Sequence, residues 1–120
     1  MTNGSEASPS ASGLFFETLA LDFLQQQGLH LHSRNVRSRF GELDLICQQA
    51  GQWIFVEVKY RRSEAFGGAA AAVTLSKQQK LRQTAAWFLQ QQRSQAGCRF
   101  DVVAISGASP YQIDWIKNAF

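Results

Sequence analysis

At 120 residues and 45% hydrophobic content, the chain is long enough for one domain with a real core and too short for two comfortable ones. Its net charge of +3 is mild, and no apolar run approaches the roughly 20 residues of a membrane span, which excludes a helical membrane protein. Cys47 and Cys98 stand in no paired motif, so reduced, structural thiols and a cytoplasmic location are expected.

In chain order, Met1 to Ser12 is rich in Ser, Ala and Gly and lacks both a basic n-region and an apolar h-region. It reads as a disordered tail rather than a signal peptide, leaving 13–120 as a single α/β domain. A first helix is expected from Gly13 to Gln27, stopped by Gly28. At roughly 100° per residue its Phe15, Leu19, Phe23, Ala20 and Leu24 fall in one broad apolar arc. Glu17 lies inside that arc. An unpaired buried charge is very costly, so Glu17 needs a partner or a task unless it snorkels at the edge of the stripe. Leu29 to Val36 then reads as extended, with Leu29 and Leu31 inward. His30 and His32 lie two apart there, but no other histidine and no CxxC completes a tetrahedral zinc site, so they are expected at the surface.

A hairpin follows. In Trp53 to Arg61 the residues Ile54, Val56, Val58 and Tyr60 alternate with Phe55, Glu57, Lys59 and Arg61; in Glu42 to Cys47, Leu43, Leu45 and Cys47 alternate with Glu42, Asp44 and Ile46. The turn signal lies in Gln49-Ala50-Gly51-Gln52. A symmetric turn sets Gln48 opposite Trp53, and counting back puts Asp44 across from Glu57 and Glu42 across from Lys59. Opposed like charges destabilise a sheet, a cost that persists where a hard divalent cation fills the gap. The alternative is a Glu42–Lys59 ion pair with both acids on a solvated face. Against it, the same face carries Ile46, Trp53 and Phe55. A single β-bulge would break this register.

Phe66-Gly67-Gly68 followed by four alanines suggests a mobile loop or fraying helix beside the acids. Ser76-Lys77-Gln78-Gln79 matches a capping box, opening a helix to about Gln95 that carries Leu81, Ala85, Phe88 and Leu89 on one stripe and ends before Gly97. Cys98 to Ile105 and Tyr111 to Ile116 read as strands, which completes an α/β sandwich. Arg34, Arg37 and Arg39 precede one acidic strand, Arg61 and Arg62 follow the other, and Lys77, Lys80 and Arg82 open the second helix. Basic groups bracketing an acidic pocket point to nucleic-acid phosphates as partner.

Asp44, twelve intervening residues, and Glu57-Val58-Lys59, preceded by a helical Glu17, resemble the PD-(D/E)XK nuclease pattern, with Leu43 in place of its proline. More closely, Gly13-x-x-x-Glu17-x-x-Ala20, Asn35-x-Arg37, Gly41-Glu42-Leu43-Asp44-Leu45-Ile46, Phe55-Val56-Glu57-Val58-Lys59-x-Arg61, Lys77, Arg99-Phe100-Asp101-Val102-Val103 and Asn118-Ala119-Phe120 resemble the bacterial YraN family, also called UPF0102. That resemblance implies a restriction-endonuclease-like α/β core, a mixed central sheet flanked by helices, similar to archaeal Holliday junction resolvases. It also implies an endonuclease in which Asp44, Glu57 and the Val58 carbonyl hold Mg²⁺ or Mn²⁺, polarising a phosphoryl oxygen and acidifying a bound water. Lys59 would orient that water and stabilise developing charge. Glu17 would stand in the outer shell or hold a second ion, and Lys77 or Gln79 would touch the scissile phosphate, with Arg37, Arg39 and Arg61 on the DNA backbone. Junction resolution would require a symmetric homodimer. Two other classes stay open: a non-catalytic nucleic-acid-binding module, and an adaptor protein presenting Trp87, Tyr111, Trp115 and Phe120.

Overall fold

A computed structural model describes residues 11–63 and 73–120. The expected tail, apart from its last two residues, and the expected loop at Phe66 to Ala72 lie outside the described residues. The order of elements is α1 (Ala11–Gln26), β1 (His30–Ser38), β2 (Gly41–Gln49), β3 (Gln52–Arg61), α2 (Leu75–Gln91), β4 (Cys98–Ser106) and β5 (Gln112–Ile116). The strands form one mixed sheet in sequence order. Among the described residues only β3 and β4 run parallel, joined through α2, and the other neighbours are antiparallel. Among the described residues no helix is long and apolar enough to cross a membrane.

Each helix covers one face of the sheet. Ala20, Leu21 and Leu24 of α1 pack with Leu45, Cys47, Ile54, Val56, Val103 and Ile105. Leu81, Ala85 and Phe88 of α2 pack with Ile46, Trp53, Phe55, Phe100 and Val102. With both faces covered, residues 53–57 of β3 are all buried, as expected for a parallel strand under two layers. Burial pushes the free Cys47 thiol up to about 12, the behaviour of an inert structural cysteine. His30 and His32 are exposed; His32 falls at the bulge in β1 and meets the rings of Trp53 and Phe88 edge-on.

Helix α1 ends as its sequence requires. Gly28 has φ of 96°, its N–H donates to the Gln25 carbonyl and the Leu29 N–H to that of Leu24, the pattern of a Schellman cap closed by the buried Leu24 and Leu29. The limits of α2 differ from expectation. Its N-cap is Thr74, whose hydroxyl accepts the Lys77 N–H, rather than Ser76. It also stops at Gln91, short of Gln95. The reason is tertiary: the Trp53 indole donates to the Ser94 hydroxyl, and the Trp53 main-chain N–H donates to the Gly97 carbonyl. Residues 94–97 are thus committed to the start of β3. The Schellman position after α2 is Arg93, at φ of 52°. Since a side chain there costs about 1 kcal/mol that glycine avoids, Arg93→Gly is expected to raise stability by roughly 0.5–1 kcal/mol, read as a higher denaturant midpoint at unchanged slope.

Asp101 is completely buried. It accepts from the Arg99 guanidinium at 3.0 and 3.2 Å, from the Trp115 indole at 2.9 Å and from the Asn118 main-chain N–H at 2.9 Å. This one carboxylate ties β4, β5 and the C-terminal turn together. The side chains considered for an adaptor surface are half-buried: Tyr111 and Trp115 pack against the α1-side core, Trp87 and Phe120 against the α2-side core.

Candidate functional site

The β2–β3 turn consists of Ala50 and Gly51, both at positive φ (53° and 76°), as a two-residue hairpin turn of the primed type requires. It sets Gln48 opposite Trp53 and carries the ladder to Leu45 opposite Val56. There the pairing stops, one step before Asp44 and Glu57. The alternation of β2 breaks at the same place, since Leu45 packs on the α1 side and Leu43 on the α2 side. In place of a main-chain partner, the Val58 N–H donates to Asp44 Oδ2 at 2.9 Å. A carboxylate therefore ends the ladder and is fixed beside Glu57.

Glu57 is 4% exposed. Its Oε2 lies 2.8 Å from Lys77 Nζ and 3.5 Å from Lys59 Nζ, while Oε1 is buried without a hydrogen-bond partner. Two cavities meet here and share Asp44, Glu57 and Lys77. One of about 350 Å³ opens between β2 and the start of α2, lined also by Glu42, Thr74 and Lys80. The other, about 300 Å³, opens toward α1 and is lined by Glu17, Val58, Lys59 and Tyr60. Glu17 is buried and lies 3.7 Å from Arg34, which also donates to the Thr18 hydroxyl. The acid in the apolar arc thus has a cationic partner and faces the same cavity as the acid pair.

The electrostatics follow from crowding. Burial, then the charge of Glu57 and a shared hydrogen bond with it, push the Asp44 carboxyl up to about 8, although the Val58 N–H pulls it down. Burial also raises Glu17, against Asn35 and Arg34. Burial and then Lys77 lower Lys59. Burial would lower Lys77 too, but its hydrogen bonds with Glu57 and Lys59 and the charge of Glu57 outweigh this and raise it.

The expected constellation is only partly assembled. Glu17, Asp44, Glu57, Val58, Lys59 and Lys77 line one cavity. The Glu42–Lys59 ion pair of the alternative reading does not form: Arg37, opposite Glu42 on β1, takes Glu42 at 3.6 Å, and Lys59 turns to Glu57. Arg39 lies over the Phe40 ring, and exposed Arg61 donates to the Tyr60 carbonyl. Gln79 is exposed and lines neither cavity at the acids. Arg82, counted with the basic rim, lies instead over Phe100 and Phe120. Arg34, counted with the basic groups around the acids, and Asn35 instead partner Glu17, a helix-to-strand contact that leaves no local spacing signal.

Among the described residues no three carboxylate, imidazole or thiol side chains converge into a metal cage. Two carboxylates completed by main-chain oxygen and water are nevertheless what Mg²⁺ ordinarily uses, and the orphaned Glu57 Oε1 beside Asp44 fits that donor set.

Residues 16–105 match the model of the uncharacterised protein family UPF0102. A UPF0102 protein of Shewanella loihica is 51% identical over 104 residues, 87% of this chain and 89% of the relative. One of Serratia proteamaculans is 48% identical over 116 residues, covering 94% and 97%, and one of Nitrosomonas europaea is 49% identical over 104 residues, covering 87% and 88%. With three quarters of its length matched by the family model and near-full-length relatives at about half identity, the chain belongs to the UPF0102 family.

Proposed function

We propose that the protein is a divalent-metal-dependent endonuclease hydrolysing DNA phosphodiester bonds on a PD-(D/E)XK-like core. The observation that carries this is the interrupted hairpin. Asp44 caps the Val58 N–H beside a buried Glu57 whose Oε1 is unpaired, with Lys59 two residues on. Asp44, Glu57 and the Val58 carbonyl would hold Mg²⁺ or Mn²⁺, which when bound supplies Lewis acidity toward a phosphoryl oxygen. Lys59, whose affinity for its proton is lowered by burial, orients the attacking water and donates to the developing phosphorane charge. Lys77 offers its ammonium to a phosphate oxygen once a cation takes its place at Glu57. Glu17, held by Arg34, contributes negative potential from the outer shell. Arg37, Arg39, Arg61 and Gln79 are left to contact the flanking backbone.

A second reading has its own support. The Lys77–Glu57 ion pair at 2.8 Å neutralises part of the site without a cation, which suits a non-catalytic nucleic-acid-binding module. Linear, single-stranded, flapped and four-way-junction DNA under Mg²⁺, Mn²⁺ or chelator separates the two. Metal-dependent cutting supports the nuclease; binding without cutting in any metal supports the module. Preference for a four-way junction would in addition call for a symmetric homodimer.

The Asp44 carboxyl gives a pH signature. Because its folded value is raised to about 8 from an ordinary value near 4, its protonated form favours folding fully below about pH 4, and that contribution is lost as pH rises toward 8. Melting of the metal-free protein is expected to show a falling Tm over that window, and Asp44→Asn to flatten it. Divalent binding must displace this proton, so Mn²⁺ affinity measured by calorimetry is expected to rise by up to about tenfold per pH unit below 8. An affinity flat from pH 5 to 8 would count against Asp44 as a ligand.

A further inference from the structure

A third cavity, of about 580 Å³, lies between the β1–β2 turn and the middle of α2. Its walls include Ser38, Arg39, Phe40, Gln83, Trp87 and Gln90. The guanidinium of Arg39 sits 4.9 Å from the Phe40 ring centroid, and Trp87 is half-buried at the opposite wall. The turn is fastened in place. The Phe40 N–H donates to the Ser38 hydroxyl at 3.0 Å, and that hydroxyl bonds the fully buried Thr84 hydroxyl of α2, also at 3.0 Å. The groove is therefore a formed feature with two aromatic faces, one cation and two primary amides. That is the inventory of a sequence-tolerant base-stacking platform, where the ring binds any base and the cation its backbone. The amides add hydrogen-bonding capacity without charge.

Its position relative to the acids sets the occupant. Lys77 and Lys80 line the acidic cavity, while Gln83, Trp87 and Gln90 line the groove. All five fall on one side of α2 at intervals of three or four residues. Lys77 to Trp87 is ten residues of helix, about 15 Å, or about four stacked nucleotides at 3.4 Å each. We infer that this groove binds an unpaired nucleobase a few nucleotides from the scissile phosphate, so that the preferred substrate is DNA carrying a single-stranded arm next to a duplex. The inference rests on the nucleic-acid reading above. A blunt duplex would leave the stacking faces empty, whereas a fork or flap fills them.

The test is binding by the full chain in chelator, comparing forked DNA with a blunt duplex of the same stem, with 2-aminopurine placed at successive positions of the arm. A fork preference is expected, with fluorescence quenched at one or two arm positions. Phe40→Leu and Trp87→Ala are each expected to cut the fork-to-duplex affinity ratio about tenfold, within the range for one base stacked on one aromatic ring, and to relieve the quenching. Trp87→Phe, which keeps an aromatic face, should restore most of both, and Phe40→Leu carries the test should Trp87→Ala fail to fold. Equal affinity for fork and duplex, or a ratio unmoved by both groove variants, overturns the inference. Metal-dependent cutting together with that result leaves the nuclease reading standing. Fork preference lost in the groove variants, without cutting in any metal, keeps the groove and overturns the nuclease.

Discussion

Glu57→Gln is expected to lose metal-dependent cleavage by about 10³-fold or more, and to lose the heat of Mn²⁺ binding, while melting within a few degrees of the wild type. The asymmetry follows from where Glu57 stands. Asp44, Lys59 and Lys77 converge on its carboxylate. Both apolar cores are built from other residues. Glutamine keeps the shape but replaces one oxygen with an amide nitrogen, which a hard divalent cation does not accept as a ligand. It also leaves the two lysines without their nearest anion, and relief of the repulsion on Asp44 offsets part of that cost. Initial rates in Mn²⁺, calorimetric titration and a thermal melt on the same preparation check all three statements. Cleavage that survives the substitution would place the chemistry elsewhere or in a contaminant. Lost cleavage with intact Mn²⁺ heat would remove Glu57 from the ligand set but keep it in the reaction.

Asp101→Ala is expected to cost about 3–5 kcal/mol, the range for removing one partner of a buried charged network, and to lower Tm by on the order of 10–20 °C. Three donors lose their acceptor together: the Arg99 guanidinium, the Trp115 indole and the Asn118 main-chain N–H. Arg99 Nη2 is already buried without a partner, so the guanidinium has little left to turn to. The effect should fall on stability rather than on the candidate chemistry, since Asp101 lines none of the three cavities described. Chemical denaturation of Asp101→Ala beside Asp101→Asn checks this, the amide retaining one acceptor and with it part of the stability. A midpoint unchanged by the alanine would show the network to be dispensable.

Local chemistry determined much of this protein from its sequence. The hairpin register was legible because Ala50-Gly51 is a two-residue turn at positive φ, and strand period 2 then counts without error as far as Leu45 and Val56. The stop of α1 at Gly28 was legible because glycine is at home in the left-handed conformation the cap needs. The oddity of Glu17 was visible because helix period places it on a buried arc; its partner Arg34, seventeen residues on, was not. Tertiary packing alone decided the rest. It brought Lys77 to Glu57 from a helix twenty residues away, gave Glu42 to Arg37 rather than Lys59, and moved Leu43 to the α2 side of the sheet. It also ended α2 early by committing residues 94–97 to Trp53. Period and turn preference act over a few residues, whereas these outcomes depend on which surfaces two separate elements can bury against each other. The acids could therefore be named from the chain, and the company they keep only from the fold.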